Sequence, residues 1–202
     1  VMSHFTKANG FAEDAEVIYG DTDSVMINFK ERDLKKAMDL GRAAAELLTK
    51  EFVKPVKLEF EKVYYPFLLI SKKRYAGLLY TKPEAPDRKD TKGVESVRRD
   101  NCLLVKTMVD KVLDLLLYEQ NIQKVVRYVQ GTLQDLNRGK IDISQLIISR
   151  SINRNIDDGS YKVPMAHVEV AKKLKQRNPA FSVNIGDRIP YVITCGDKNA
   201  KN

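Results

Sequence analysis

The stretch Val17-Ile18-Tyr19-Gly20-Asp21-Thr22-Asp23-Ser24-Val25-Met26-Ile27 constrains this chain more than any other. Two apolar runs rich in β-branched residues flank a short polar turn containing a glycine, the pattern of an antiparallel hairpin. Strands on both sides hold the tip, so Asp21 and Asp23 leave the hairpin at a fixed place. Carboxylates held that close repel each other unless a cation lies between them. A hard divalent ion such as Mg²⁺, which takes carboxylate oxygens together with substrate phosphates, suits the pair. The first expectation is a chain that handles phosphates.

Charge distribution supports an anionic partner. The chain of 202 residues carries a net charge of +8. From Ser71 to Arg99 there are nine bases against four acids, so more than half of the excess lies in one short segment. Clustered bases are the electrostatic footprint of nucleic-acid binding, although a solvated basic loop has the same composition. The chain is 43% hydrophobic and 31% charged, enough for a core without disulfides or a structural metal. Cys102 and Cys195, and His4 and His167, are too scattered for the common zinc patterns. The cysteine usage points to a reducing compartment. No apolar run is long enough to span a membrane, and no signal peptide is recognisable. The chain begins at Val1 without an initiator methionine, and the expectation is a piece of something longer.

Periodicity predicts the remaining elements. The acid hairpin should run from Glu16 to Phe29, and a helix capped by Asp33 from Leu34 to Phe52. Alternation over Lys57–Lys62 predicts a half-buried strand with Leu58 and Phe60 inward and Glu59 and Glu61 outward. Val63–Ile70 and Tyr75–Thr81 predict paired strands joined by a basic tip, Ser71-Lys72-Lys73-Arg74. Pro83–Lys92 predicts a loop. Beyond it, helices are expected over Glu95–Tyr118, with Val105, Met108, Val109, Val112 and Leu116 on one face, and over Ile122–Leu136, stopped by Gly139. A third should start at Pro164 and reach Lys175. Asp142–Ile152 is undecided, and Ile189–Thr194 predicts an edge strand containing Pro190. The fold class is α+β, divided near Lys92 into an α+β half and a mainly helical half.

Taken alone, Asp21-Thr22-Asp23 leaves several chemistries open. An EF-hand fails, because Val25 and Met26 stand where a ligand and a glycine are needed. Ser24 has no histidine nearby to make a nucleophile. A metal-using glycosyltransferase and a non-catalytic DNA-binding module both remain possible.

The longer strings resemble B-family DNA polymerases. Tyr19-Gly20-Asp21-Thr22-Asp23-Ser24 is similar to that family's metal-binding palm signature, and Lys72-Lys73-Arg74-Tyr75 to its primer-gripping basic motif. Leu58 to Tyr64, Leu68 to Leu78, Val97 to Cys102, Ile141 to Leu146 and Gly186 to Val192 resemble the eukaryotic delta-type branch; the translesion zeta-type branch shares part of the pattern. The resemblance implies an antiparallel palm sheet with a packed helix over 1–92, the C-terminal part of the palm, and a mainly helical thumb over 93–202. It implies attack of a primer 3′-oxygen on the α-phosphate of a deoxynucleoside triphosphate, with two Mg²⁺ ions. Asp23 would be a direct metal ligand, and Asp21 a ligand or a tuner of the field near the primer end. Tyr19 and Gly20 would approach the primer terminus. Lys72, Lys73, Arg74 and Tyr75 would grip primer–template duplex, and Arg98 and Arg99 would touch the primer backbone. A further palm aspartate and a nucleotide-holding helix are not found in this sequence, so the chain alone is expected to be inactive, with weak Mg²⁺ affinity and weak, salt-sensitive affinity for duplex. The remaining implied partners are the rest of the polymerase chain and, through parts not in this chain, a sliding clamp and accessory subunits. The implied location is the nucleus.

Overall fold

The computed structural model describes residues 2–194, so Cys195 lies outside it. The chain divides into two compact units, Val1–Val94 and Glu95–Asn202. Antiparallel sheets and four helices give the expected α+β class.

In the first unit, β1 (Glu16–Asp21) and β2 (Ser24–Asn28) form a two-stranded antiparallel ribbon. Helix α1 (Leu34–Thr49) follows, its free N-terminal amides capped where the Asp33 carboxylate accepts from Lys35 and Lys36. A small core joins these elements. Phe5, Ala15 and Ala44 are buried together, with Phe11, Ile27, Phe29, Leu40 and Leu47 packed around them. Phe5 belongs to a segment without periodicity, and its burial is worth about 1.5–3 kcal/mol.

The segment Lys57–Lys62, expected as a strand, takes no regular secondary structure and pairs with no strand among the described residues. Its anchoring is to α1 instead. Thr49 Oγ1 accepts the Leu58 amide at 2.9 Å and donates to the Ala45 carbonyl at 2.7 Å. The Phe60 ring lies so close on Gly41 that a Cβ there would sit 2.6 Å from it. Leu58 and Phe60 are half-buried and Glu59 and Glu61 exposed, so the alternation is right and only the ladder is missing.

Strands β3 (Val63–Ser71), β4 (Arg74–Tyr80) and β5 (Arg88–Lys92) form an antiparallel sheet in that order. Ala76, Leu78 and Leu79 of β4 are buried. The expected loop over Pro83–Lys92 is corrected here: its last five residues are β5. Among the described residues β5 pairs only with β4, and as an edge strand Arg88-Lys89-Asp90-Thr91-Lys92 needs none of the apolar residues of a central strand.

In the second unit, α2 (Leu103–Leu117) starts eight residues later than expected. Within Glu95–Asn101 the Arg98 guanidinium donates to Asp100 at 3.0 and 2.8 Å. Cys102 is extended and serves as the N-cap. Leu113, Leu115 and Leu117 are the fully buried residues, so α2 is apolar around more than the predicted face. Helix α3 (Ile122–Asn137) packs on α2. The undecided segment becomes a short 3₁₀ turn (Ile143–Leu146) and β6 (Ile148–Ser151). Helix α4 (Ala166–Arg177) begins two residues after Pro164, because the Met165 carbonyl is the first to accept helical amides. Strand β7 (Arg188–Tyr191) pairs with β6 and ends before Val192. Ile152, Ile156, Val168, Ala171 and Ile189 form the core between this ribbon and α4.

Candidate active site

Register fixes the acid tip. Asp21 pairs with Ser24, leaving Thr22-Asp23 as a two-residue turn. Such a tight hairpin needs positive φ at the first turn residue, and Thr22 takes φ 46. A β-branched residue there costs about 1–3 kcal/mol and persists only where the surroundings enforce it. The Ser24 hydroxyl donates to the Asp21 carbonyl at 3.1 Å and closes the turn. Asp21 is half-buried and Asp23 exposed. Gly20 is exposed, and a Cβ there would meet only the Ser24 carbonyl, at an ordinary 3.5 Å.

The basic tip is built the same way. Ser71 pairs with Arg74, leaving Lys72-Lys73 as the turn, with Lys73 at φ 61. Lys72 and Lys73 are exposed, while Arg74 and Tyr75 are half-buried.

The structure brings the two tips together. The Tyr19 hydroxyl accepts the Lys73 amide at 3.0 Å and donates to Asp21 Oδ2 at 3.4 Å. The Lys73 ammonium lies 3.4 Å from Asp21 Oδ1. The pair is open to water, with 75% of the lysine side chain and 38% of the aspartate exposed, so it contributes at most about 1 kcal/mol.

Behind the tips runs an aromatic chain that sequence reading missed. Tyr19 meets Tyr75 edge-on, with ring centres 6.1 Å apart, and Tyr75 in turn meets Tyr64 and Phe67. The Tyr64 hydroxyl donates to Asp90 of β5 at 2.6 Å. Burial, and then the Asp90 carboxylate, hold the Tyr64 phenol far above its ordinary value, so it remains a donor. Burial likewise raises Tyr75. No signal in the sequence marks Asp90, because it lies in the segment read as a loop.

Arg98 and Arg99 belong to the second unit, where they line a cleft of about 770 Å³. Arg150, Arg154, Lys162 and Arg188 line it too, with Asp100 as the one acid. The hydrogen bond from Arg98 holds the Asp100 carboxyl down to about 2. Arg188 ties the wall together, donating to the Arg99 carbonyl and to Ser149 Oγ, each at 3.1 Å. Six bases and one ion-paired acid line this cleft, which gives it an excess of positive charge. Four of those bases are dispersed over Arg150 to Arg188, so no local run of sequence reveals them.

The sequence model of DNA polymerase family B matches residues 2–202. The chain belongs to this family. It is 52% identical over 201 residues to a DNA polymerase delta catalytic subunit of Glycine max, covering 100% of this chain and 18% of that one. It is 50% identical over 199 residues to the Drosophila melanogaster delta catalytic subunit, covering 98% of this chain and 18% of that one. A solved family B DNA polymerase from the archaeon Pyrobaculum calidifontis superposes with a TM-score of 0.60 at 27% identity, covering 96% of this chain and 23% of that one. The family B chain thus spans about a fifth of the length of the curated relatives it matches. The delta-type resemblance read from the motifs holds, and the glycosyltransferase reading ends here.

Proposed function

We propose that this family B chain is part of a template-directed DNA polymerase of the delta type, with residues 1–92 in its palm and 93–202 as its thumb. The observation that carries the reading is the Tyr19 hydroxyl, which joins the acid tip to the basic tip through Asp21 and Lys73. A DNA-binding module would need the bases but not a neighbouring pair of acids.

Asp21 and Asp23 fit Mg²⁺. Both offer hard oxygen donors from one turn, and Asp21 already faces a cationic group in Lys73. Among the described residues no group of three or more His, Cys, Asp or Glu could hold a metal. Mg²⁺ is commonly held by one or two carboxylates, with waters and substrate phosphates completing its shell. Held by Asp21 and Asp23, two such ions would supply charge stabilisation for nucleotidyl transfer. The chain's own residues do the placing. Asp21 and Asp23 fix the acid pair on a rigid turn, and Gly20 leaves its face open to a primer terminus. Lys72, Lys73, Arg74 and Tyr75 hold the new duplex, and the cleft around Arg98 and Arg99 takes backbone phosphates. Contacts of this kind position DNA without reading its sequence, which suits an enzyme that copies any template.

The primer 3′-oxygen then attacks the α-phosphate of the bound triphosphate, and pyrophosphate leaves. A sliding clamp and accessory subunits would bind other parts of the protein, and the work would be done in the nucleus. The test is Asp23→Asn in the full-length protein. Primer extension should fall beyond the roughly 100-fold typical of residues that merely support a metal ligand, with primer–template binding retained. Undiminished extension would overturn the proposal.

A further inference from the structure

Gly93 follows β5 directly and takes φ 63, in the left-handed region. A Cβ built on it would lie 2.1 Å from the carbonyl oxygen of Lys73 and 3.3 Å from Arg74 Cγ. The first of these is a backbone atom and cannot swing aside as the end of a side chain does. Gly10, Gly139, Gly159 and Gly186 also have positive φ, yet a Cβ on any of them would meet nothing within 4 Å. Gly93 is therefore constrained twice, by conformation and by close approach.

What approaches it is the basic tip. Lys92 pairs with Tyr75, so the chain leaving β5 runs alongside the turn that carries Lys73. Lys73 is itself a non-glycine residue at φ 61. Its amide is held by the Tyr19 hydroxyl and its ammonium lies beside Asp21. Contact with Gly93 occupies the remaining side of that residue, its carbonyl.

We propose that Gly93 is a positioning residue for the basic tip: its missing side chain lets the Lys73 carbonyl seat against the exit of β5, which holds Lys73 where it grips primer–template DNA. The inference rests on the polymerase reading above. Any side chain at position 93 must push the tip away, and Lys73 moves with it.

The experiment measures primer–template affinity of the full-length protein by titration at several salt concentrations. Gly93→Ala should weaken binding about tenfold and make the salt slope shallower by about 1, as loss of one phosphate contact does. Gly93→Asn, which tolerates positive φ but still carries a Cβ, should do the same. Gly10→Ala, with the same conformational penalty and open space, should leave affinity unchanged. In a Lys73→Ala background, Gly93→Ala should add less than about twofold, because the two act through one contact. Should Gly93→Ala fail to fold, Lys73→Gly/Gly93→Ala, whose tip can yield, should fold. Wild-type affinity in Gly93→Ala, additive effects of the two substitutions, or a double variant that also fails to fold would each overturn the inference. A wild-type protein that ignores primer–template would overturn the polymerase reading itself, and the inference with it.

Discussion

Tyr19 is the residue on which the two tips meet. Its hydroxyl accepts from Lys73 and donates to Asp21, so one oxygen sets both a backbone position and a carboxylate. Tyr19→Phe keeps the ring contact with Tyr75 and removes both bonds. The Lys73 amide should then exchange with solvent about fivefold faster, as expected when a hydrogen bond worth about 1 kcal/mol is lost. Hydrogen exchange of the full-length protein reads this directly, and unchanged protection of Lys73 would count against the link. The types and order of these residues were legible in the sequence, because Asp21, Asp23 and the lysine tip occur in strings specific to one family. The link was not legible. Tyr19 and Lys73 are 54 positions apart, and neither carries a local signal that it faces the other.

Elements show where pattern reading succeeds and where it stops. Helix α1 and the β3–β4 hairpin announce themselves through periodicity and through Asp33, whose carboxylate caps the helix as its residue type suggests. Strand β5 does not, because an edge strand has no need of the apolar residues of a central one. The start of α2 was missed because Arg98 and Asp100 satisfy each other outside the helix. Helix α4 adds a pH dependence of its own. His167 is buried near its start, and burial, followed by the charge of Arg150, lowers its imidazole below the ordinary 6.5. The folded state then binds fewer protons than the unfolded state once pH falls below about 6.5, so stability drops through that window and is unaffected above it. Thermal unfolding followed from about pH 7.5 down to about 5.5 should show the loss, and His167→Gln should remove that part of it. A midpoint flat with pH in the wild type would contradict this.

The whole chain presents two units, a net charge of +8 and one pair of acids on one turn. On the polymerase reading proposed above, these parts would hold DNA, and the nucleotide-holding helix implied by the family resemblance is not found in this sequence. The 202-residue chain by itself should bind duplex with an affinity that falls on the order of tenfold or more between about 50 and about 200 mM salt. It should give no primer extension with Mg²⁺ and all four triphosphates. Extension by the isolated chain, or salt-independent binding, would contradict this. The two sheets of the first unit also differ in how they meet the outside. The three-stranded sheet is blocked against further growth on both sides. Pro66 offers no amide on β3, where the register is also irregular, and β5 is a row of charges. The β1–β2 ribbon has no proline and no unbroken row of charges; its register shifts between Val17 and Tyr19, and its strands carry Val17, Ile18, Val25 and Ile27. Although Ile27 packs into the small core with α1, a sheet of only two strands is marginal in water, so this is where another strand is most readily added, from the same protein or from a second copy. The turn bearing Asp21 and Asp23 is thus the part of this unit most exposed to self-association when the chain is prepared alone, and its solubility and its acid pair depend on the same two strands.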